Sequence, residues 1–200
     1  MSPRLLLASQ SASRRRLLAD AAVPFETVHA GVDEEALKAG LIAEGLGARD
    51  LADALAEWKA RRPSQRNPGA FVLGCDQTLE LDDGSRIDKV ETRAEAAELL
   101  ARMSGRMHKL HSAAVIAQDG TPIWRKIESV ALHMRPLSPA FIAYYLDLDW
   151  EQCRHCVGCY RIEGPGAQLF SKITGSLFAV QGLPLLPLLD YLRVRSMLPA

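Results

Sequence analysis

No stretch of this chain approaches the ~18 apolar residues that a membrane-spanning helix needs. The apolar run inside MSPRLLLASQ is also too short for the hydrophobic region of a secretory leader. The chain is therefore expected to act in the cytoplasm, without a membrane partner. Net charge is missing too: 24 Lys and Arg stand against 24 Asp and Glu. That balance excludes bulk attraction to nucleic acid or an anionic surface, so any basic site must be local. Cysteines are few. Cys75, Cys153, Cys156 and Cys159 are expected as reduced thiols in a cytoplasmic protein. The sequence shows no internal repeat, low-complexity tract or independent linker.

What is present suits one folded domain, residues 1–200, with 48% hydrophobic and 24% charged residues. RLLLA at 4–8 reads as a short buried strand, followed by a helix over 13–21 with Ser11 or Ser13 as cap. PFETVH alternates as a strand, and GVDEE after it reads as a polar loop. Leu51, Leu55 and Trp58 give 49–62 the spacing of an amphipathic helix, ended by Pro63. FVLGC at 71–75 and TLELDDG at 78–84 read as two short strands.

Thr92 and Glu95 predict a capping box for a helix that Gly105 closes. KLHSAAVIAQ, Asp119–Gly120 and TPIWRKIESVALHM predict a long hairpin. Ser138 and Pro139 start another helix, QLFSKIT and SLFAV read as a closing hairpin, and Gly182–Pro184 opens a last helix. Strands and helices in mixed order predict an α/β fold.

Two stretches carry chemistry. In LLLASQSASRRRLLADA, residues 5–21, a strand turns through small residues into a helix, whose free N–H groups and dipole favour an anion. Ser9 and Ser11 add hydroxyls, and Arg14 and Arg15 add forks suited to phosphate oxygens. The same residues read equally well as a capped helix with a solvated arginine face. In VLGCDQT, Asp76 is expected at the end of a buried strand, where α/β sheets gather ligands. It is a candidate general base or Mg²⁺ ligand, or else a turn aspartate. CRHCVGC has the gaps of metal-ligand cysteines but lacks a clear fourth ligand, so packing is the favoured reading. The histidines show no triad spacing. The tryptophans and LPLLPLLDYL read as packing groups, of which an exposed part could serve a homodimer.

LASQSASRR, GVDEE, WKAR, VLGCDQT, DK at 88–89, EAAELLARMSGRMH, CYRIEGPGAQLF and AVQGLPLLPLLDYL occur in this order. Together they resemble the Maf family of nucleoside triphosphate pyrophosphatases from about residue 4 to about residue 193. The resemblance implies a mixed, elongated sheet flanked by helices, with two lobes around a central cleft. It also implies hydrolysis of the α–β phosphoanhydride of a nucleoside triphosphate, assisted by Mg²⁺ or Mn²⁺, as nucleotide-pool housecleaning. Carried over by motif, Asp76 accepts a proton from the attacking water or holds metal, with Glu34 as the loop carboxylate. Lys59 and Lys89 are the family lysines, suited to bind phosphates as point charges, with Lys89 in the catalytic set beside Asp76 and Glu34, and Ser9, Ser11, Arg14 and Arg15 match the phosphate turn.

The chain departs from the commonest subgroup at Ala12, where a proline is usual. It departs again at Gln77, which separates Asp76 from Thr78, and at Glu163 in RIEG. Gln77 and Glu163, as base-pocket residues, resemble the subgroup preferring 7-methyl-GTP more than the one preferring dTTP and UTP. A carboxylate suits the donor-rich edge of a methylated guanine. A non-catalytic nucleotide-binding regulator of cell division is the alternative from another class, and turnover that depends on Asp76 separates the two.

Overall fold

The computed structural model describes residues 4–31 and 33–199, so Met1–Pro3, the Val32 of GVDEE and Ala200 lie outside the described residues. Its strands are β1 (Leu5–Ala8), β2 (Glu26–Thr27), β3 (Phe71–Leu81), β4 (Arg86–Ile87), β5 (Met107–Gln118), β6 (Thr121–Met134) and β7 (Phe170–Thr174). They form one mixed sheet in the order β2-β1-β3-β5-β6-β7, with β4 on β3. β1 runs parallel to both β2 and β3, pairing Leu5–Ala8 with Phe71–Gly74. The helices are α1 (Ala12–Asp20), α2 (Glu34–Ala43), α3 (Ala48–Ser64), α4 (Arg93–Met103), α5 (Pro139–Cys153), α6 (Leu177–Val180) and α7 (Leu185–Val194).

The chain falls into two compact units. One comprises residues 1–77, 112–128 and 182–200, and the other residues 78–111 and 129–181. In the first, the alanine stripe Ala52, Ala56 and Ala60 packs on Ala113, Val115 and Ala117. The second is built on Leu79, Leu100, Met103, Leu132, Tyr145 and their neighbours.

Local signals set much of this. Ser11 caps α1 and Ser138 caps α5, each hydroxyl accepting the amide three residues on. Thr92 and Glu95 complete the capping box of α4. Asp119 and Gly120 both take positive φ, 49° and 82°, the backbone of a tight hairpin turn between β5 and β6.

Four expectations are corrected. Phe71–Leu81 is one strand, so Asp76 lies inside it rather than at an end. Its two polar residues find partners across the structure instead of breaking the ladder. GVDEE is not a loop throughout: Asp33 caps α2 by accepting the Ala36 amide, and the helix starts at Glu34. Pro63 does not end α3, which runs to Ser64. It sits in the last turn, where the loss of one donor to the Lys59 carbonyl is tolerated. SLFAV is the short helix α6, because Ser176 caps it by accepting the Ala179 amide. The partner of β7 is β6.

Trp58 is also displaced from its expected core position and stands 45% exposed. The face of α3 that meets the sheet is alanine rather than tryptophan, because the backbones approach too closely for a large side chain. The closest point is Gly74 on β3, where a Cβ would lie 2.5 Å from the Ala60 nitrogen and run into the Ala56 carbonyl. Gly74→Ala is therefore expected to cost about 3 kcal/mol or more by overpacking against backbone that cannot rotate away. A urea titration should show a large fall in midpoint. A near-neutral result would mean that α3 does not sit this close.

Candidate active site

Three segments of the first unit converge on Asp76. β3 presents its carboxylate on the face that also carries Gly74, and the residue is only 7% exposed. Because α3 is drawn in at Gly74, Lys59, one residue before Ala60, reaches the same place. Its Nζ lies 2.6 Å from Asp76 Oδ1 and 2.9 Å from Glu34 Oε2, the latter supplied by the first turn of α2. One ammonium thus gathers the two expected carboxylates.

Arg14 approaches from α1 and is buried. Its Nε donates to the Gly182 carbonyl at 2.8 Å, and its Nη1 donates to the Cys75 carbonyl at 3.0 Å and to Ser9 Oγ at 3.2 Å. These donors tie α1 to β3 and to the start of the last helical segment. Arg14 therefore delivers charge to the site while much of its fork is used internally. Ser9 Oγ also accepts the Ser11 amide, and Ser11 Oγ accepts the Arg14 amide. Arg15 is exposed on the first turn of α1, where the helix dipole favours an anion, while the Ser11 and Arg14 amides are already taken by the cap. Arg16 pairs with Asp20 on the solvent side.

Gly182 escaped the sequence reading as a site residue. Its φ is +97°, and a Cβ would stand 3.1 Å from Arg14 Nε, so a side chain would disturb the carbonyl that anchors the guanidinium. The signal was present in AVQGLP, but there it read only as a helix start.

Burial pushes the affinity of Asp76 for a proton above the usual carboxylate range, although Lys59 and Arg14 both pull the other way. Burial likewise raises the Cys75 thiol to about 11. That thiol is a packing group, not a nucleophile.

A divalent cation suits this donor set. Asp76 and Glu34 offer hard oxygens already drawn to one cation, and Mg²⁺ is commonly held by one or two carboxylates together with substrate phosphates. Among the described residues no cluster of three or more His, Cys, Asp or Glu could hold a metal by itself.

The other expected residues are placed differently. Gln77 follows Asp76 in the strand and so faces the opposite side, where its Nε2 donates to Ser112 Oγ at 2.8 Å. Lys89 and Glu163 are exposed and belong to the second unit. There both act on Cys156, whose thiol is raised to about 11, first by burial and then by Glu163, with Lys89 opposing. These two residues thus share one neighbourhood.

The chain matches the family model described as Maf-like protein over residues 4–195. It is 52% identical to a nucleoside triphosphate pyrophosphatase of Sphingopyxis alaskensis over 195 residues, 98% of each chain. It is 50% identical to one of Caulobacter vibrioides over 192 residues, 96% of each. Identity to one of Ruegeria pomeroyi is 48% over 198 residues, 99% of each.

Lys59→Met leaves the Asp76 carboxylate nearly buried without its ammonium, a loss expected to cost about 2–4 kcal/mol at pH 7. Asp76 already holds its proton more tightly folded than unfolded, so its ionised form destabilises the fold at neutral pH. The penalty is relieved as pH falls and the carboxyl is protonated. Urea unfolding of Lys59→Met should therefore approach wild type at acid pH, and an equal deficit at pH 7 and at pH 5 would contradict this pairing.

Proposed function

Because the chain belongs to the Maf family, we propose that it is a nucleoside triphosphate pyrophosphatase whose reacting carboxylate is Asp76. The observation that carries this reading is a buried carboxylate with raised proton affinity, held by Lys59, beside a helix start suited to phosphate. Water adds across the α–β phosphoanhydride, so the products are a nucleoside monophosphate and pyrophosphate.

Asp76 accepts a proton from the attacking water. A raised pKa makes a carboxylate a better base near neutral pH, and neighbouring cations keep it ionised enough to act. Lys59 holds Asp76 and Glu34 in one place and supplies positive charge for phosphate oxygens. The amides at the start of α1, Ser9, Ser11 and the exposed Arg15 receive the phosphate chain, and Arg14 adds a fixed charge from beneath. Asp76 and Glu34 would hold a Mg²⁺ or Mn²⁺ ion, which when bound neutralises developing charge on phosphoryl oxygens. Lys89 keeps the phosphate-binding role that the family resemblance gives it.

For the base, we propose a preference for 7-methyl-GTP over dTTP and UTP. The support is the Glu163 carboxylate, exposed at the tip of its turn and so open to the donor edge of a methylated guanine.

Asp76→Asn should lower kcat by about 10²–10⁴-fold in a pyrophosphate-release assay with Mg²⁺ while nucleotide still binds. Undiminished turnover would remove Asp76 from the chemistry. Binding without turnover in the wild type would favour a regulatory nucleotide binder. In the metal-free protein the Asp76 carboxyl should titrate above the ~3.9 of a free aspartate, and Lys59→Met should move it higher still. A panel of canonical and modified triphosphates tests the base, and faster hydrolysis of UTP and dTTP than of 7-methyl-GTP would reject the preference.

A further inference from the structure

Glu163 stands in a turn that contains its own potential quencher. Arg161 lies two residues before it, and the turn is closed by the Gly164 amide donating to the Arg161 carbonyl at 3.2 Å. The following glycines wrap the backbone closely around this arginine. A Cβ on Gly164 would be 3.1 Å from Arg161 Nη2, and one on Gly166 would be 2.5 Å from the Arg161 carbonyl oxygen. A guanidinium this close to an exposed carboxylate would ordinarily pair with it.

It pairs elsewhere. Arg161 Nε donates to Asp149 Oδ2 at 3.1 Å and Nη2 donates to Asp149 Oδ1, a two-pronged contact with α5. Asp149 is 3% exposed and also accepts the Tyr145 hydroxyl at 3.4 Å. Tyr145 in turn donates to the Cys159 carbonyl at 3.1 Å, tying the same segment to the helix. A buried carboxylate with this fork is a strong, geometrically fixed partner, whereas the Glu163 carboxylate is solvated. Glu163 also acts on the Arg161 charge, after Asp149 and burial, and the two stand two residues apart in one turn.

We propose that Asp149 is a positioning residue for specificity: it sequesters Arg161, so that the Glu163 carboxylate is not tied up by the guanidinium of its own turn and stays an acceptor for the donor edge of a purine base. The use of that acceptor rests on the base preference proposed above. The sequestration itself does not, and the two can be tested apart.

In ligand-free protein, the Nε–H signal of Arg161, identified by its loss in Arg161→Lys, reports the pairing by NMR. Glu163→Gln should leave this signal in place in the wild type and shift it in an Asp149→Asn background, where Arg161 has turned to Glu163. An unmoved signal in that background overturns the proposal whatever the substrate. In kinetics, Asp149→Asn should reduce the ratio of kcat/KM for 7-methyl-GTP over UTP by about tenfold or more, through KM for 7-methyl-GTP and with kcat unchanged. Asp149→Asn/Arg161→Met removes both charges and should restore the ratio. A double variant as poor as the single would assign Asp149 to loop anchoring alone and overturn the proposal.

If Glu163→Gln leaves the ratio unchanged, the base preference fails while the NMR result still decides the sequestration. Should Asp149→Asn not fold, Arg161→Lys keeps the charge but loses the fork. The same fall in ratio is then expected, and an unchanged ratio overturns the proposal.

Discussion

The site depends on one ammonium held between the nearly buried carboxylate of Asp76 and the half-exposed carboxylate of Glu34. Lys59 reaches Asp76 only because α3 lies almost on the backbone of β3, and that approach is possible only because Gly74 meets Ala56 and Ala60. The electrostatics then turn on which effect wins at Asp76. Two cations favour the ionised form, but burial outweighs them, and the carboxyl retains a raised affinity for protons. A surface pair of the same residues would be worth little and would leave an ordinary aspartate. Here the same contact leaves a carboxylate that can both take a proton and give it up.

Arg14 illustrates how position can replace free donors. Phosphate sites are often imagined as guanidinium forks aimed at the ligand, yet this fork is bonded to two carbonyls and a serine. Its charge is nonetheless fixed beside Asp76, and its bonds set the distance between α1, the Cys75 backbone and Gly182. A charge held by protein acceptors does not reorganise when a ligand arrives, which is the condition under which electrostatic stabilisation is most effective. On the reading proposed above, a phosphate would meet the dipole at the start of α1 and exposed Arg15, one residue beyond Arg14.

Signals confined to a few residues were legible in the sequence. The caps at Ser11 and Ser138, the capping box of Thr92 and Glu95, and the Asp119–Gly120 turn were readable because their hydrogen bonds join near neighbours. Features stabilised from a distance were not. Asp76 and Gln77 interrupt the apolar run of β3, and their partners Lys59 and Ser112 lie 17 and 35 residues away in the chain. Trp58 misled for a related reason: helical spacing places it with Leu51 and Leu55, but the sheet comes too close at Gly74 to admit an indole. The ordered motifs singled out Asp76, Glu34, Lys59 and Arg14, whereas the contacts that bring these side chains together needed the fold.

The cysteines of the second unit carry the same lesson into chemistry. Their spacing resembles a metal-binding pattern, yet it follows from two consecutive turns, in which the Cys156 amide donates to the Cys153 carbonyl and the Cys159 amide to that of Cys156. Burial raises Cys156 to about 11 and Cys159 to about 12, and a nucleophile must be a thiolate. These thiols remain protonated at neutral pH and fill space beneath the segment that carries Arg161 and Glu163. Uncharged groups there are an advantage: a thiolate beside Glu163 would repel it, whereas a thiol leaves the distribution of charge to Asp149, Arg161 and Lys89.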